Sequence, residues 1–124
     1  MSVVLALSAD LLFGSRVAGS LGSAGHEVKL LADEAGVRSR LEDPVLPQPA
    51  VLVVDLTDER LDGAAIVESL ALDGLLDGLR TLGFYSHVDA PARERARRAG
   101  LDAVVPRSRM AREGPELVAA LLGQ

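Results

Sequence analysis

The stretch Ala50-Val-Leu-Val-Val-Asp-Leu56 decides the fold of this chain, because a short apolar run that ends on an acidic residue is typical of a buried parallel strand. Open α/β sheets bind their ligands at the carboxyl ends of such strands. Asp55 falls at the predicted end of this strand. We therefore expect its carboxylate to lie at the functional site.

Length and composition predict one globular domain over residues 1–124. Apolar residues make up 48% of the chain and charged residues 25%, which is typical of a soluble domain. A net charge of −5 argues against nucleic-acid binding, since attraction to phosphates requires a positive field. The absence of cysteine excludes a disulfide framework and a thiolate nucleophile. Because the apolar run at residues 3–7 is too short for a membrane span and lacks signal-peptide features, we expect a cytoplasmic protein without membrane contact.

Short apolar runs alternate with amphipathic segments five times, which predicts an α/β fold: a doubly wound sheet of five parallel strands with helices on both faces. The predicted strands cover residues 3–7, 26–32, 50–55 and 79–85, with a fifth at Val104 and Val105. Helices are predicted to begin after Asp10, near Asp33, near Gly63, after Asp89 and at Gly114-Pro115. The segment from Arg107 to Gly114 is then expected to be a loop.

Three segments together resemble the receiver domain of bacterial response regulators. They are Ala24-Gly25-His-Glu-Val28, Val53-Val54-Asp55-Leu56 and Arg98-Ala-Gly-Leu-Asp-Ala-Val-Val-Pro-Arg107. The resemblance covers almost the whole chain and implies a flavodoxin-like fold with strand order 2-1-3-4-5. It also implies a stand-alone, non-enzymatic domain of two-component signalling.

In that family an aspartate after the third strand accepts a phosphoryl group, and two acidic residues after the first strand hold Mg²⁺. The resemblance places Asp55 at the acceptor position, but it places Ser8 and Ala9 at the acidic pair. A serine hydroxyl is a weak neutral ligand for Mg²⁺ and alanine is none, although Asp10 follows directly. The sequence therefore lacks one or both carboxylates that would hold the metal.

Two further positions of the family pattern also differ here. A hydroxyl that contacts the phosphoryl group falls on Tyr85 or Ser86, and the sequence leaves this choice open. Arg107 stands where the family has lysine, and its planar fork is not equivalent to a compact ammonium. We therefore expect a pseudo-receiver, which binds another signalling protein without phosphorylation and without a cofactor.

The family commonly uses the surface of the fourth helix, fifth strand and fifth helix for dimerisation or output. Arginine is enriched at interfaces because its fork makes bidentate contacts. Candidate interface residues in this part of the chain are Arg93, Arg97, Arg98, Asp102, Arg109 and Arg112. A homodimer through this surface is a second possibility, and a merely solvated helix face is a third.

Two other functions stay open. If Asp10 turns inward and Arg107 reaches the phosphoryl oxygens, Asp55 is a working phosphoacceptor that uses Mg²⁺. Alternatively, His87 and Arg107 flank the strand ends, where a small ligand or an anion would bind. Hydrolysis is not expected, because Ser86 does not lie in a Gly-X-Ser-X-Gly turn.

Overall fold

The computed structural model describes residues 2–86 and 89–123. Its strands and helices alternate along the chain. They are β1 (Val3–Leu7), α1 (Leu11–Ser23), β2 (Glu27–Leu31), α2 (Glu34–Glu42), β3 (Val51–Asp55), α3 (Gly63–Leu72), β4 (Arg80–Tyr85), α4 (Ala90–Arg98), β5 (Ala103–Pro106) and α5 (Arg107–Leu121). The strands are parallel and pair in the order β2-β1-β3-β4-β5, which confirms the predicted flavodoxin-like fold class. Within these residues no helix combines the length and apolarity that crossing a bilayer requires.

β3 occupies the centre of the sheet, between β1 and β4, and all of its residues are buried. A strand covered on both faces needs apolar side chains in both directions, which explains the uninterrupted run from Val51 to Val54. Side chains alternate along a strand, so Val53 and Asp55 point to the same face of the sheet. That face is covered by α1 and α5, whose Phe13 and Met110 pack in one core cluster with Val53. The carboxylate of Asp55 therefore lies on the α1–α5 side.

Residues 107–112 form the first part of α5, so the expectation of a loop there was wrong. Glu113, with φ of −126° and ψ of 20°, interrupts the helix where two helical segments meet. Pro115 follows, and its ring excludes a regular helix through the preceding turn. Met110, 2% exposed, packs into the core and holds the first segment against the sheet. Gly114-Pro115 thus marks the second segment of a kinked helix, not the start of the whole helix.

Aspartates begin four of the helices. The side chains of Asp10, Asp33, Asp62 and Asp89 each accept a hydrogen bond from the backbone N–H three residues further on. These bonds satisfy amides that the first helical turn leaves without partners. Because Asp10 follows β1 after two residues, its cap fixes the start of α1 directly at the carboxyl end of the sheet.

Gly63 allows the first turn of α3 to lie against the end of β3. A Cβ atom at this position would be 2.7 Å from the carbonyl oxygen of Asp55 and 2.7 Å from Cγ1 of Val54. The backbone of the central strand cannot give way cheaply, so we predict that Gly63→Ala lowers the free energy of unfolding by about 1–3 kcal/mol. Urea unfolding measures the change.

Gly19 supplies the matched control, because it lies within α1 and a Cβ atom there would meet nothing within 4 Å. Gly19→Ala should raise the free energy of unfolding by about 0.5–1 kcal/mol, since alanine is the better helix former. Equal effects of the two substitutions would contradict the packing role of Gly63.

Candidate functional site

The carboxylate of Asp55 lies at the carboxyl end of β3, as predicted, but the residue is only 1% exposed. Its Oδ1 accepts hydrogen bonds from the backbone N–H of Thr57 at 2.7 Å and from the Thr57 hydroxyl at 2.6 Å. Its Oδ2 accepts a hydrogen bond from the Ser8 hydroxyl at 3.0 Å. A buried carboxylate needs donors to both oxygens. Here residues of the chain itself supply them.

Ser8 is buried and joins the ends of β1 and β3. Its Oγ donates to Asp55 and lies 3.2 Å from the backbone nitrogen of Asp10, from which it accepts a hydrogen bond. Ala9, the other residue at the position of the acidic pair, is exposed and offers no side-chain ligand. Ser8 therefore offers no negative charge to a cation. Its hydroxyl donates a hydrogen bond to Asp55 instead.

The Asp10 carboxylate accepts hydrogen bonds from Phe13 and Arg107, which are not the residues that donate to the Asp55 carboxylate. Its Oδ1 accepts the hydrogen bond of the Phe13 amide at 3.1 Å, and its Oδ2 accepts one from Nη2 of Arg107 at 3.0 Å. The Phe13 amide is the main cause that lowers the pKa of Asp10; desolvation opposes it, and the hydrogen bond and charge of Arg107 lower the pKa further. Asp10 is thus held as a carboxylate at the rim of the site.

Arg107 makes two contacts that an ammonium group would not reproduce equally well. While one nitrogen binds Asp10, the guanidinium carbon lies 4.1 Å from the ring centroid of Phe13. The Phe13 ring in turn packs on Phe84, with 5.0 Å between the centroids. Among the described residues, no hydrogen bond or ion pair joins Arg107 to Asp55. Its positive charge therefore pairs with Asp10 at the rim of the site.

An open recess of about 380 Å³ lies at the carboxyl ends of the strands, beside Thr57 and Arg107. Its lining residues are Phe13, Arg16, Thr57, Ser86, Arg107 and Ser108. Strand alternation places Ser86 on the same face of the sheet as Phe84, and Tyr85 on the opposite face. Of the two candidate hydroxyl residues, Ser86 is the one that reaches the recess. His87, a further predicted pocket residue, lies outside the described residues.

Comparison with known proteins bears on the fold. No protein-family model matches the sequence, and no curated protein matches it significantly. A putative response regulator from Chloroflexus aurantiacus superposes with a TM-score of 0.85 at 19% identity, over 99% of this chain and 98% of the other. The NtrX receiver domain from Brucella abortus gives 0.82 at 20% identity over 98% of each chain, and the beryllofluoride-activated DrrB receiver domain gives 0.80 at 16% identity over 100% and 99%. This chain has the receiver fold.

Within this receiver fold, the donors at the strand ends do not fit the magnesium ion that the resemblance implies for a phosphorylatable domain. Mg²⁺ prefers nearly octahedral oxygen ligands and is usually held by one or two carboxylates. The Asp10 carboxylate is bonded to Arg107, and that of Asp55 is bonded to Ser8 and Thr57. In the part of the chain that the structure describes, no three acidic, histidine or cysteine side chains come close enough to share an ion. Binding would require both sets of bonds to open.

The candidate interface arginines of the receiver surface lie on α4 and at the start of α5. Arg97 and Arg98 approach Glu94 at 4.0 Å and 3.6 Å, whereas Arg109 and Arg112 both approach Glu113 at 3.4 Å. Such exposed pairs are weak and leave the guanidinium groups available. Arg93, also exposed, lines a shallow groove beside β5 together with Arg97.

Asp102, in contrast, is engaged within the fold. Its Oδ2 accepts hydrogen bonds from the backbone N–H of Thr81 at 2.8 Å and from its hydroxyl at 3.2 Å, while the Asp102 amide donates to the same hydroxyl at 3.0 Å. These bonds tie the start of β5 to β4. Its carboxylate is thus bonded within the sheet, unlike the neighbouring arginines.

Thr57 is the site residue that the sequence analysis missed. Its signal was a hydroxyl residue two positions after Asp55, a spacing at which a carboxylate readily accepts hydrogen bonds from the backbone and side chain that follow it. Together with Ser8 it donates the three hydrogen bonds that the Asp55 carboxylate accepts from the described residues.

Replacement of Asp55 tests whether these hydrogen bonds matter for folding. Asp55→Asn retains an acceptor for Thr57 and lets Ser8 turn its hydroxyl to the Asp10 carbonyl, 3.2 Å away. Asp55→Ala removes every acceptor and leaves the half-buried donors of Thr57 without their partner. We predict that the alanine variant loses about 2 kcal/mol more stability than the asparagine variant in urea unfolding. Equal losses would contradict the assigned hydrogen bonds.

The lowered pKa of Asp10 predicts a specific dependence on pH. A carboxylate with a lowered pKa in the folded state stabilises the protein above its unfolded pKa, about 4, and loses this contribution as the pH falls through the folded pKa. Asp10→Asn keeps a capping oxygen but has no charge. The stability difference between the wild type and this variant should therefore shrink below about pH 4 in urea unfolding.

The same comparison in an Arg107→Gln background separates the two causes of the lowered Asp10 pKa, which are the Phe13 amide and Arg107. The Phe13 amide remains, but the contribution of Arg107 to the pKa is gone. The stability difference should then be smaller, and its loss should be complete at a higher pH, because the folded pKa of Asp10 lies closer to the unfolded one. An identical pH profile with and without Arg107 would show that the Asp10–Arg107 pair does not act on this carboxylate.

Proposed function

We propose that this chain acts as a pseudo-receiver, a receiver-like domain of two-component signalling that binds another signalling protein without being phosphorylated. One observation carries the proposal: the polar side chains at the strand ends form hydrogen bonds with one another. Ser8 and Thr57 bond both oxygens of Asp55, and Arg107 is paired with Asp10. Phosphoryl transfer needs a bound cation and a positive side chain that face the acceptor.

Residues 1–124 would act as one binding module rather than as an enzyme. The receiver fold by itself permits phosphorylation, since a response regulator protein from Burkholderia pseudomallei with this fold carries a phosphorylated aspartic acid. What distinguishes this chain is its own residues, above all Ser8 and Ala9 in place of an acidic pair. Without that pair the negative charge that attracts Mg²⁺ is reduced, and an incoming phosphoryl group finds no divalent cation to neutralise its oxygens.

A second candidate function is a working phosphoacceptor at Asp55. Ser86 and Arg107 favour it, because both line the recess beside this carboxylate. It would require Thr57 and Ser8 to release the Asp55 oxygens and Arg107 to leave Asp10. The two candidates therefore differ in one measurable property, which is Mg²⁺-dependent modification of Asp55.

Incubation of the full chain with acetyl phosphate and Mg²⁺, followed by intact-mass measurement, tests the proposal. We expect no added phosphoryl mass that depends on Asp55, and Asp55→Asn serves as the control for labelling elsewhere. A label on the wild type that is absent from this variant would overturn the proposal and support the second candidate.

Magnesium titration gives an independent readout. We expect no binding in the submillimolar range for the wild type, whereas the doubly substituted Ser8→Asp/Ala9→Asp chain, which restores the acidic pair, should bind the ion more tightly. Submillimolar affinity in the wild type that is lost in Asp55→Asn would contradict the pseudo-receiver assignment.

A further inference from the structure

A partly enclosed apolar pocket of about 130 Å³ lies between α5 and α1, beside the kink in α5. Its lining residues are Phe13, Arg16, Val17, Ser20, Leu21, Met110, Ala111 and Gly114. Gly114 follows the kink directly, and a Cβ atom there would lie 3.4 Å from Cε of Met110 and 4.0 Å from Cδ2 of Leu21. A residue without a side chain thus stands where α5 passes α1, and the space beside it stays open.

The volume of this pocket matches a single side chain. Apolar cavities of about 150 Å³ take up one benzene ring. The walls are the Phe13 ring, the aliphatic side chains of Val17 and Leu21, and the Met110 thioether, which adapts its shape readily. One large apolar side chain of a partner is therefore the occupant that the pocket fits.

Arg16 places a positive charge at the pocket. Phe13 and Arg16 line both the pocket and the recess at the strand ends, so the two spaces adjoin. Arg16 is exposed and forms no ion pair with the described residues. Arg107, which lines the adjoining recess, is paired with one carboxylate, Asp10. The surroundings of the pocket thus carry a surplus of positive charge in a protein whose net charge is −5.

An exposed leucine borders the same surface. Leu12 is 73% exposed and lies four residues before Arg16 on α1, which places both on one side of the helix. An exposed apolar side chain beside an apolar pocket and a cationic rim is the arrangement of a protein-binding surface, in which an apolar centre is surrounded by a polar rim.

We propose that this α1–α5 pocket binds a partner segment in which one large apolar side chain is flanked by acidic residues. The apolar side chain fills the pocket beside Gly114, and the acidic residues pair with Arg16 and Arg107. This inference rests on the proposed function, because it names the chemistry of the protein partner. Basic segments are repelled by the rim, and segments with small side chains leave the pocket empty.

The methyl group of Met110 is a built-in reporter, because the chain contains two methionines and Met110 lines the pocket. Its carbon-13 methyl signal is followed while the full chain is titrated with three capped tripeptides: Glu-Phe-Glu, Glu-Ala-Glu and Lys-Phe-Lys. We expect a saturable shift with Glu-Phe-Glu and at least tenfold weaker binding of the other two. No saturable shift with Glu-Phe-Glu, or equal binding of all three peptides, would overturn the inference.

Charge reversal at the rim sharpens the test. Arg16→Glu lies on an exposed helix surface and should shift the preference from Glu-Phe-Glu toward Lys-Phe-Lys, while the Met110 signal still responds. Gly114→Ala should weaken Glu-Phe-Glu binding by partly filling the pocket. Arg60→Glu, at a side chain that is 96% exposed in the β3–α3 loop, is the matched charge reversal and should leave the preference unchanged. An unchanged preference in Arg16→Glu would contradict the assigned rim.

The two proposals fail in different experiments. Phosphorylation of Asp55 would refute the pseudo-receiver function, whatever the peptides do. An unresponsive Met110 signal in a chain that also takes no phosphoryl label would refute the pocket alone and leave protein binding to another surface.

Discussion

The burial of one carboxylate sets the arrangement of the whole site. Asp55 ends the central strand of a sheet covered on both faces, so its oxygens must find donors within the protein. The Ser8 hydroxyl and Thr57 provide them. An acidic residue in place of Ser8 would set a second negative charge against Asp55, which a nearby cation would have to offset. The neutral hydroxyl removes the repulsion and, with it, the need for a metal.

A similar balance governs the rim of the site. Arg107 follows β5 and Asp10 follows β1, two strands separated in the sheet by β3 and β4, and their ion pair joins the beginnings of α5 and α1. Stacking on Phe13 holds the same guanidinium through a contact with an uncharged ring. The two contacts hold the beginnings of α1 and α5 together, and the pocket beside Gly114 lies further along the same two helices.

Local sequence signals were sufficient for most of the fold. The apolar runs of β1 and β3 and the helix starts at Asp10, Asp33, Gly63 and Asp89 lie in the structure where the sequence placed them, because each depends on neighbouring residues. Residues 107–112 differ, since no local pattern distinguishes a solvated loop from a helix held by Met110 in the core. Tertiary packing decided that segment, and an interpretation of Pro115 as the helix start overlooked a kinked helix.

For the candidate site, too, the sequence predicts one part and tertiary packing decides the other. Strand ends identify which residues gather near Asp55, since parallel strands bring their carboxyl ends to one edge. They do not determine which side chains bond one another: the pair of Arg107 and Asp10 joins residues 97 positions apart in sequence, and each had a plausible alternative partner in Asp55 or a metal. In the observed pairs, each of these charged groups of the site has a partner. This condition applies to the folded site as a whole and not to any one segment of sequence. A sequence can therefore name the members of such a site, whereas its chemistry depends on how the charges are shared.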